Sequence, residues 1–175
     1  MDARAESWSA FRREVEDLLA AWRREGLPPR WALLRQLKEL KAHREAIFRT
    51  ASSLPAMPTV LLATLDDGWG HGLDVIELAA RAVGASVRRL GLLVPPEEIL
   101  AACTADPPHI LGLTVLHNDS EPALTQICSE LPSQTTVLAG GTAFSLDPDL
   151  ARRAGVHKVM RHAADFLAFL LTYEP

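Results

Sequence analysis

Between residues 59 and 171 the chain alternates five short apolar runs with five segments of helical periodicity. Strands that are separated by helices run parallel, and right-handed crossovers then place helices on both faces of the sheet. The pattern therefore predicts an α/β fold with a five-stranded parallel sheet. The predicted strands are residues 59–65, 86–90, 109–115, 135–139 and 157–160, and the predicted helices are residues 73–83, 96–105, 121–131, 147–154 and 163–171.

Two amphipathic stripes precede this alternation and predict an N-terminal helical hairpin. Apolar residues recur at spacings of three and four in the first stripe, and Gly26 followed by Pro28 and Pro29 separates it from the second. A proline-containing linker at residues 51–58 follows the second stripe. We therefore expect a hairpin over residues 1–52 and an α/β domain over residues 56–175. The stripes are Trp8, Phe11, Val15, Leu18, Leu19 and Trp22, then Trp31, Leu34, Leu37, Leu40, Ile47 and Phe48.

Composition excludes several classes of protein. No apolar run approaches the about 18 residues that span a bilayer, and the N-terminus resembles no signal peptide, so we expect a cytoplasmic protein without membrane contact. Residues 1–50 carry 11 Lys and Arg against 8 Asp and Glu, but these charges alternate along the helices as on a solvated face. Direct nucleic-acid binding is therefore not expected. Cys103 and Cys128 have no metal-binding spacing and are expected to be small buried residues.

Three loops that follow predicted strands are the candidate ligand site. They are residues 66–72, 114–119 and 140–142, and all three lie at the carboxyl edge of the predicted sheet, where α/β folds bind ligands. Gly68, Gly70 and Gly72 permit close approach of a bulky ligand. The glycines match neither the dinucleotide pattern nor the phosphate loop, so nucleotide binding is not predicted.

Taken together, the three loops resemble the cobalamin-binding domain family, a flavodoxin-like module with the motifs Asp-x-His-x-x-Gly, Ser-x-Leu and Gly-Gly. Residues 67–72, 114–116 and 140–141 match these motifs in order, and residues 84–99 are similar to the family's second strand and the helix entry that follows it. The resemblance spans residues 56–172. It implies cobalamin as cofactor, with haem or a bilin as the alternative. The implied cofactor-binding residues are Asp67, Gly68, Trp69, Gly70, His71, Gly72, Thr114, Leu116, His117, Gly140, Gly141 and Thr142.

The chain departs from the family at the metal ligand, because Trp69 stands where the resemblance implies a histidine below the cobalt. An indole nitrogen carries a proton and cannot ligate a metal. Three alternatives remain open. The corrin binds with its own base attached or with no protein ligand, His71 replaces the missing histidine as metal ligand, or the pocket holds another tetrapyrrole. A further possibility is that the Trp69 indole fills the space of the displaced base and the chain is a ligand-free interaction scaffold.

The predicted function is that of a tetrapyrrole-binding sensor or regulatory protein that is not catalytic on its own. No nucleophile with its base, and no paired acid and base, stands at the same edge of the sheet. The alternative is a corrinoid methyl carrier that serves a separate methyltransferase. We expect a protein partner or a homodimer through the N-terminal helices, with Trp8, Trp31 or the partner covering the upper face of the corrin.

Overall fold

The computed structural model describes residues 3–48 and 56–173 and contains the predicted hairpin and sheet. The hairpin consists of α1 (Ala3–Glu25) and α2 (Arg30–Phe48). Gly26 has a φ of +86°, a conformation that favours glycine and ends α1. The Trp22 indole donates a 2.9 Å hydrogen bond to Gln36 and ties the two helices together. Within the described residues no helix has the length and apolarity to cross a bilayer.

Five parallel strands form one sheet in the order β2-β1-β3-β4-β5. The flavodoxin-like fold class is therefore confirmed. Strand bounds differ from the prediction by at most two residues at either end. The strands are β1 (Thr59–Thr64), β2 (Ser86–Gly91), β3 (Ile110–Thr114), β4 (Thr136–Gly140) and β5 (Lys158–Val159).

Helices connect the strands and cover both faces of the sheet. Two differences from the prediction matter for the site. First, α3 begins at His71, two residues earlier than predicted. Second, the helix predicted over residues 147–154 is shorter, covering only Leu150–Ala154 (α7), and a separate short helix, Ala143–Leu146 (α6), precedes it. The helices are α3 (His71–Val83), α4 (Pro96–Ala105), α5 (Glu121–Glu130), α6 (Ala143–Leu146), α7 (Leu150–Ala154) and α8 (Ala163–Thr172), with one 3-10 turn at Asn118–Ser120.

Alternate residues of the central strands β1, β3 and β4 enter two separate cores. In β1, Val60 and Leu62 face the core shared with α1, α2, α3 and α8, whereas Leu61 and Ala63 face the core shared with α4, α5 and α7. This alternation follows from the two-residue side-chain period of a strand. The sheet is thus apolar on both faces, as a buried parallel sheet requires.

The hairpin packs across α3 and α8. Buried Leu37 of α2 and Phe166 of α8 belong to the same core, and α2 contacts α3 while α1 contacts α8. Only the turn between α1 and α2, with the start of α2, reaches the carboxyl edge of the sheet. The predicted linker lies largely outside the described residues, and the domain division stays a prediction.

Trp8 and Trp31, the two rings expected to cover a ligand, lie at different places on the hairpin. Trp8 packs against Phe11 and Phe48, with ring centroids 5.8 and 6.2 Å away. Trp31 is 67% exposed and lies beside the Arg35 guanidinium. The Trp8 ring is thus engaged within the hairpin, and the expectation that Trp31 or a partner covers the upper face of the corrin stays a prediction.

Both cysteines are free thiols, as expected from their spacing. Cys103 is buried and Cys128 is half-buried. Burial raises the pKa of each thiol to about 11, so both stay protonated at neutral pH and act as small apolar residues.

Candidate functional site

A cavity of about 560 Å³ opens at the carboxyl ends of β1, β3 and β4 and extends between α3 and α8. Its volume lies within the range of ligand pockets, about 300–1,000 Å³. The predicted loops meet at its mouth, because parallel strands end at one edge. Eight of the twelve predicted cofactor-binding residues line it: Asp67, His71, Gly72, Thr114, Leu116, Gly140, Gly141 and Thr142.

The remaining four predicted residues, Gly68, Trp69, Gly70 and His117, lie outside the cavity wall. Trp69 is 82% exposed, and its ring centroid lies 6.1 Å from that of His71. The possibility that the indole fills the cavity is therefore wrong, because the side chain points into solvent. His117 is exposed, and its backbone amide takes part in the loop structure described below.

Asp67 shapes the β1–α3 loop. Its carboxylate is buried, and Oδ1 accepts hydrogen bonds from the backbone amides of Trp69 (2.7 Å) and Gly70 (3.1 Å). The buried Thr64 hydroxyl donates a 2.7 Å bond to the Asp67 carbonyl. These bonds turn the chain into α3, where Gly70 adopts a φ of +68° directly before His71. The bonds to its Oδ1 thus make Asp67 a cap for the loop amides.

Asp66, which no sequence pattern singles out, connects the first two loops. Its Oδ1 accepts a bond from the Leu116 amide (2.8 Å), and its Oδ2 accepts bonds from the His117 amide (2.9 Å) and the Ser120 hydroxyl (2.7 Å). Three donors from the loop after β3 therefore converge on one carboxylate of the loop after β1. An aspartate beside Asp67 carries no sequence signal for this role, since its partners are about 50 residues away.

The Gly140-Gly141 pair holds the third loop against its neighbours. A Cβ on Gly140 would lie 2.6 Å from the Met160 carbonyl oxygen. Gly141 has a φ of +122°, and a Cβ on it would collide with the Val115 carbonyl oxygen. The Thr142 hydroxyl donates a 2.9 Å bond to the Leu116 carbonyl. Both glycines are thus required by backbone packing, in addition to any role toward a ligand.

Apolar groups that the sequence analysis did not single out line the interior of the cavity. Gly112, in the middle of β3, lines the cavity beside Leu62, and a Cβ on it would lie 2.5 Å from a methyl group of Leu62. The α1–α2 turn supplies one wall and the β5–α8 connection another. These additional lining residues include Leu27, Pro28, Arg30, Leu33, Leu62, Leu138, Arg161, His162 and Phe166.

His71 is the predicted metal ligand, and it is exposed at the first position of α3 while lining the cavity. Within residues 3–48 and 56–173 no group of three or more His, Cys, Asp or Glu side chains has the arrangement to hold a metal ion. The described side chains therefore build no metal centre on their own, and the role of His71 stays a prediction.

Searches against known proteins identify relatives of the fold. No family profile matches the chain. Ethylmalonyl-CoA mutase of Cereibacter sphaeroides is 28% identical over 96 residues, and that of Methylorubrum extorquens is 30% identical over 97 residues. Each match covers 53% of the chain, but only 15% and 14% of the two enzymes, so the chain matches a small part of each relative.

Solved structures match nearly the whole chain. A cobalamin-binding protein from Desulfitobacterium hafniense superposes with a TM-score of 0.80 at 20% identity, over 96% of this chain and 82% of that protein. The methanol:cobalamin methyltransferase complex of Methanosarcina barkeri gives 0.67 at 18% identity, covering 92% and 63%. The monomethylamine corrinoid protein of the same organism gives 0.58 at 17% identity, covering 79% and 62%. The chain thus has the fold of cobalamin-binding proteins, including the helices before the sheet.

Proposed function

We propose that this protein binds cobalamin at the carboxyl edge of its sheet. The observation that carries the proposal is the single cavity into which eight of the residues implied by the resemblance converge. Proteins of the same fold are cobalamin- or corrinoid-binding, which supports the ligand class. The apolar interior suits the benzimidazole base of the cofactor's tail, and hydroxyls at the mouth suit its polar groups.

Different residues of the chain would hold different parts of the cofactor. The base and ribose would occupy the space above Gly112 between α3 and α8, while Thr114 and Thr142 face the mouth of the cavity. Asp66 and Asp67 would act as positioning residues, since they hold the loops and not the ligand. When bound, cobalamin supplies a redox-active cobalt ion that exchanges its axial ligands.

This chain differs from the family that it resembles at the residue expected below the cobalt. Trp69 offers no lone pair, so if the base enters the cavity, His71 is the protein nitrogen ligand that we propose. Electron paramagnetic resonance of the reduced cobalt form, in protein with nitrogen-15 histidine, tests this role. A histidine splitting that disappears in His71→Ala supports ligation by His71, and its absence from the unmutated protein contradicts it.

The first test asks whether a coloured tetrapyrrole stays bound to the protein during gel filtration. Purified protein incubated in parallel with hydroxocobalamin, haem and biliverdin is passed through gel filtration, and visible spectra are recorded. We expect cobalamin to co-elute with the protein. Retention of only haem or biliverdin would replace cobalamin with that tetrapyrrole, and loss of all colour would favour the scaffold alternative.

Substitutions at Gly72 test where the cofactor lies. Gly72 lines the cavity, and a Cβ at this position meets no atom within 4 Å, so the fold tolerates a side chain there. We expect Gly72→Ala to retain cobalamin and Gly72→Trp to lose it, because only the large ring occupies the mouth. Gly140→Leu is a poorer probe, since its side chain would displace the Met160 carbonyl. Full retention by Gly72→Trp would contradict the location.

Two biological roles follow from cobalamin binding, and we favour a sensor or regulatory module. The residues that line the cavity are mostly glycines, hydroxyl-bearing residues and apolar residues, which suit the holding of a ligand. The second candidate is a methyl carrier, which the fold likeness to the methanol:cobalamin methyltransferase complex favours. Transfer of a methyl group from methylcobalamin-loaded protein to an added thiol by a separate methyltransferase would support the second role.

The proposed protein contact involves the N-terminal hairpin. Exposed Trp31 and the exposed outer faces of α1 and α2 are available to a partner or a second copy. Light scattering during gel filtration measures the mass with and without cobalamin. A doubled mass supports the homodimer, and a monomer in both states leaves a different protein as the partner.

A further inference from the structure

The rim of the cavity carries more positive than negative charge. Two arginines, Arg30 and Arg161, are among its lining residues, together with the histidines His71 and His162. Among the described lining residues Asp67 is the only acidic one, and two backbone amides donate to its carboxylate and offset its charge. The rim is therefore suited to an anionic group of a ligand.

Arg161 is the basic group best placed to bind such an anion. Arg30 already donates a 3.0 Å bond to Asp74, and His162 Nδ1 lies 3.6 Å from Asp165. Arg161 is exposed, and within residues 3–48 and 56–173 no carboxylate forms an ion pair with its guanidinium. Its backbone amide donates a 3.1 Å bond to Asp165, which holds the main chain at the entrance to α8.

The interior of the cavity has the opposite character. Leu62, Leu138 and Phe166 line it together with Gly112, which adds no side chain of its own. A ligand that satisfies both regions combines an aromatic or aliphatic group with an anionic linkage a short distance away. The tail of cobalamin has this chemistry, because its benzimidazole base is joined through ribose to a phosphodiester.

We propose that Arg161 binds the phosphodiester of the cofactor's tail and makes the site selective for corrinoids that carry a nucleotide tail. This inference rests on the proposed cobalamin function. A guanidinium presents two parallel N–H donors that match two phosphate oxygens, and an unpaired side chain gives up no existing ion pair when it binds. Arg161 is thus a specificity-determining residue.

The experiment compares cobalamin with cobinamide, which retains the corrin and the cobalt but lacks the phosphodiester and the base. Dissociation constants for both ligands are measured for the unmutated protein, Arg161→Met and Arg152→Met. We expect Arg161→Met to weaken cobalamin binding about tenfold, the loss of one charge-assisted hydrogen-bonded pair, and to change cobinamide binding by less than about twofold. Arg152→Met removes the same charge from an arginine outside the cavity wall and should change neither constant.

Salt dependence gives a second readout. Added salt should weaken cobalamin binding to the unmutated protein more than to Arg161→Met, because screening acts on the pair that the variant lacks. Equal losses for both ligands, or no loss for either, would overturn the role of Arg161 and leave cobalamin binding standing. Unmutated protein that binds neither ligand would overturn both proposals. Equal thermal midpoints of the three proteins serve as the folding control.

Discussion

Asp66 illustrates how a single side chain connects segments that are distant in sequence. Its two carboxylate oxygens accept hydrogen bonds from two backbone amides and one hydroxyl of the β3–α5 loop. We expect Asp66→Ala to lower the free energy of unfolding by about 1–3 kcal/mol, because hydrogen bonds to an ionised group are lost and donors are left unpaired. Chemical denaturation measures this, and Asp66→Asn, which keeps one acceptor oxygen, should lose less. Equal losses in both variants would contradict the explanation.

At the scale of single residues, sequence reasoning located the site but not all of its wall. It placed Thr114, Gly140 and Gly141 at one sheet edge because each follows an apolar strand, and the topology alone then brings them together. Trp69 was assigned to the site by its place in a motif, yet its side chain is exposed. Arg161 carried no signal, since its relation to the cavity depends on how α8 packs against α3.

Helix α3 has a glycine at each end, Gly72 in its first turn and Gly84 directly after its last residue, and the two differ in backbone conformation. Gly84 ends the helix with a φ of +97°, and a Cβ there would lie 2.6 Å from the Arg44 guanidinium, whereas Gly72 has an ordinary φ and open space. We expect Gly84→Ala to destabilise the protein by about 1–3 kcal/mol and Gly72→Ala to stabilise it by about 0.5 kcal/mol. Thermal unfolding of both variants checks the sign of each effect. The same sign for both would contradict the role of φ.

A charge network connects α5 with the segment between α6 and α7. Arg153 binds both oxygens of Glu121 at 2.8 Å and Asp147 at 2.6 Å. The hydrogen bonds from Arg153 lower the pKa of both carboxyl groups below their ordinary values of 4.5 and 3.8. The folded state therefore binds fewer protons than the unfolded state, so this stabilisation is complete above the ordinary pKa and is lost as pH falls through the lowered values.

Arg153→Met tests this network through its pH dependence. The variant should be less stable than the unmutated protein at pH 7, and the difference should shrink as the pH falls from about 5 to 3. Urea unfolding at several pH values measures the difference. Arg152→Met, whose partner Asp149 lies 3.4 Å away on the surface, is the control and should show little dependence. A constant difference at all pH values would contradict the charge network.

At the scale of elements, the strands were predictable because each is a local apolar run bounded by glycine, proline or polar residues. The short α6 was missed, since four residues carry too little periodicity to distinguish a helix from a loop. The early start of α3 was missed because Gly70 and Gly72 stand on either side of His71, and glycine is a poor helix former. Both errors lie in the loops that form the site, where tertiary contacts override local preference.

Considered as a whole, the molecule has a core that continues from the hairpin into the α/β layers. Leu37 is fully buried in the core that also contains Val83 and Phe166. We expect Leu37→Ala to lower the free energy of unfolding by about 2–5 kcal/mol and to leave one cooperative transition. Coincident circular dichroism and tryptophan fluorescence transitions check cooperativity, with Leu34→Ala at a half-buried site as the smaller control. Separate transitions would instead support two independent domains.

The strand order also determines at which stage of folding the cavity forms. β1 sits between β2 and β3, and β4 and β5 then join one edge in the order of the chain. Each pairing closes a long crossover, which makes folding slow compared with that of a helical bundle. Because α8, the last described helix, supplies one cavity wall, the cavity is complete only when that helix has docked on α3. We therefore expect a ligand present during folding to assist that docking step and not the earlier strand pairings.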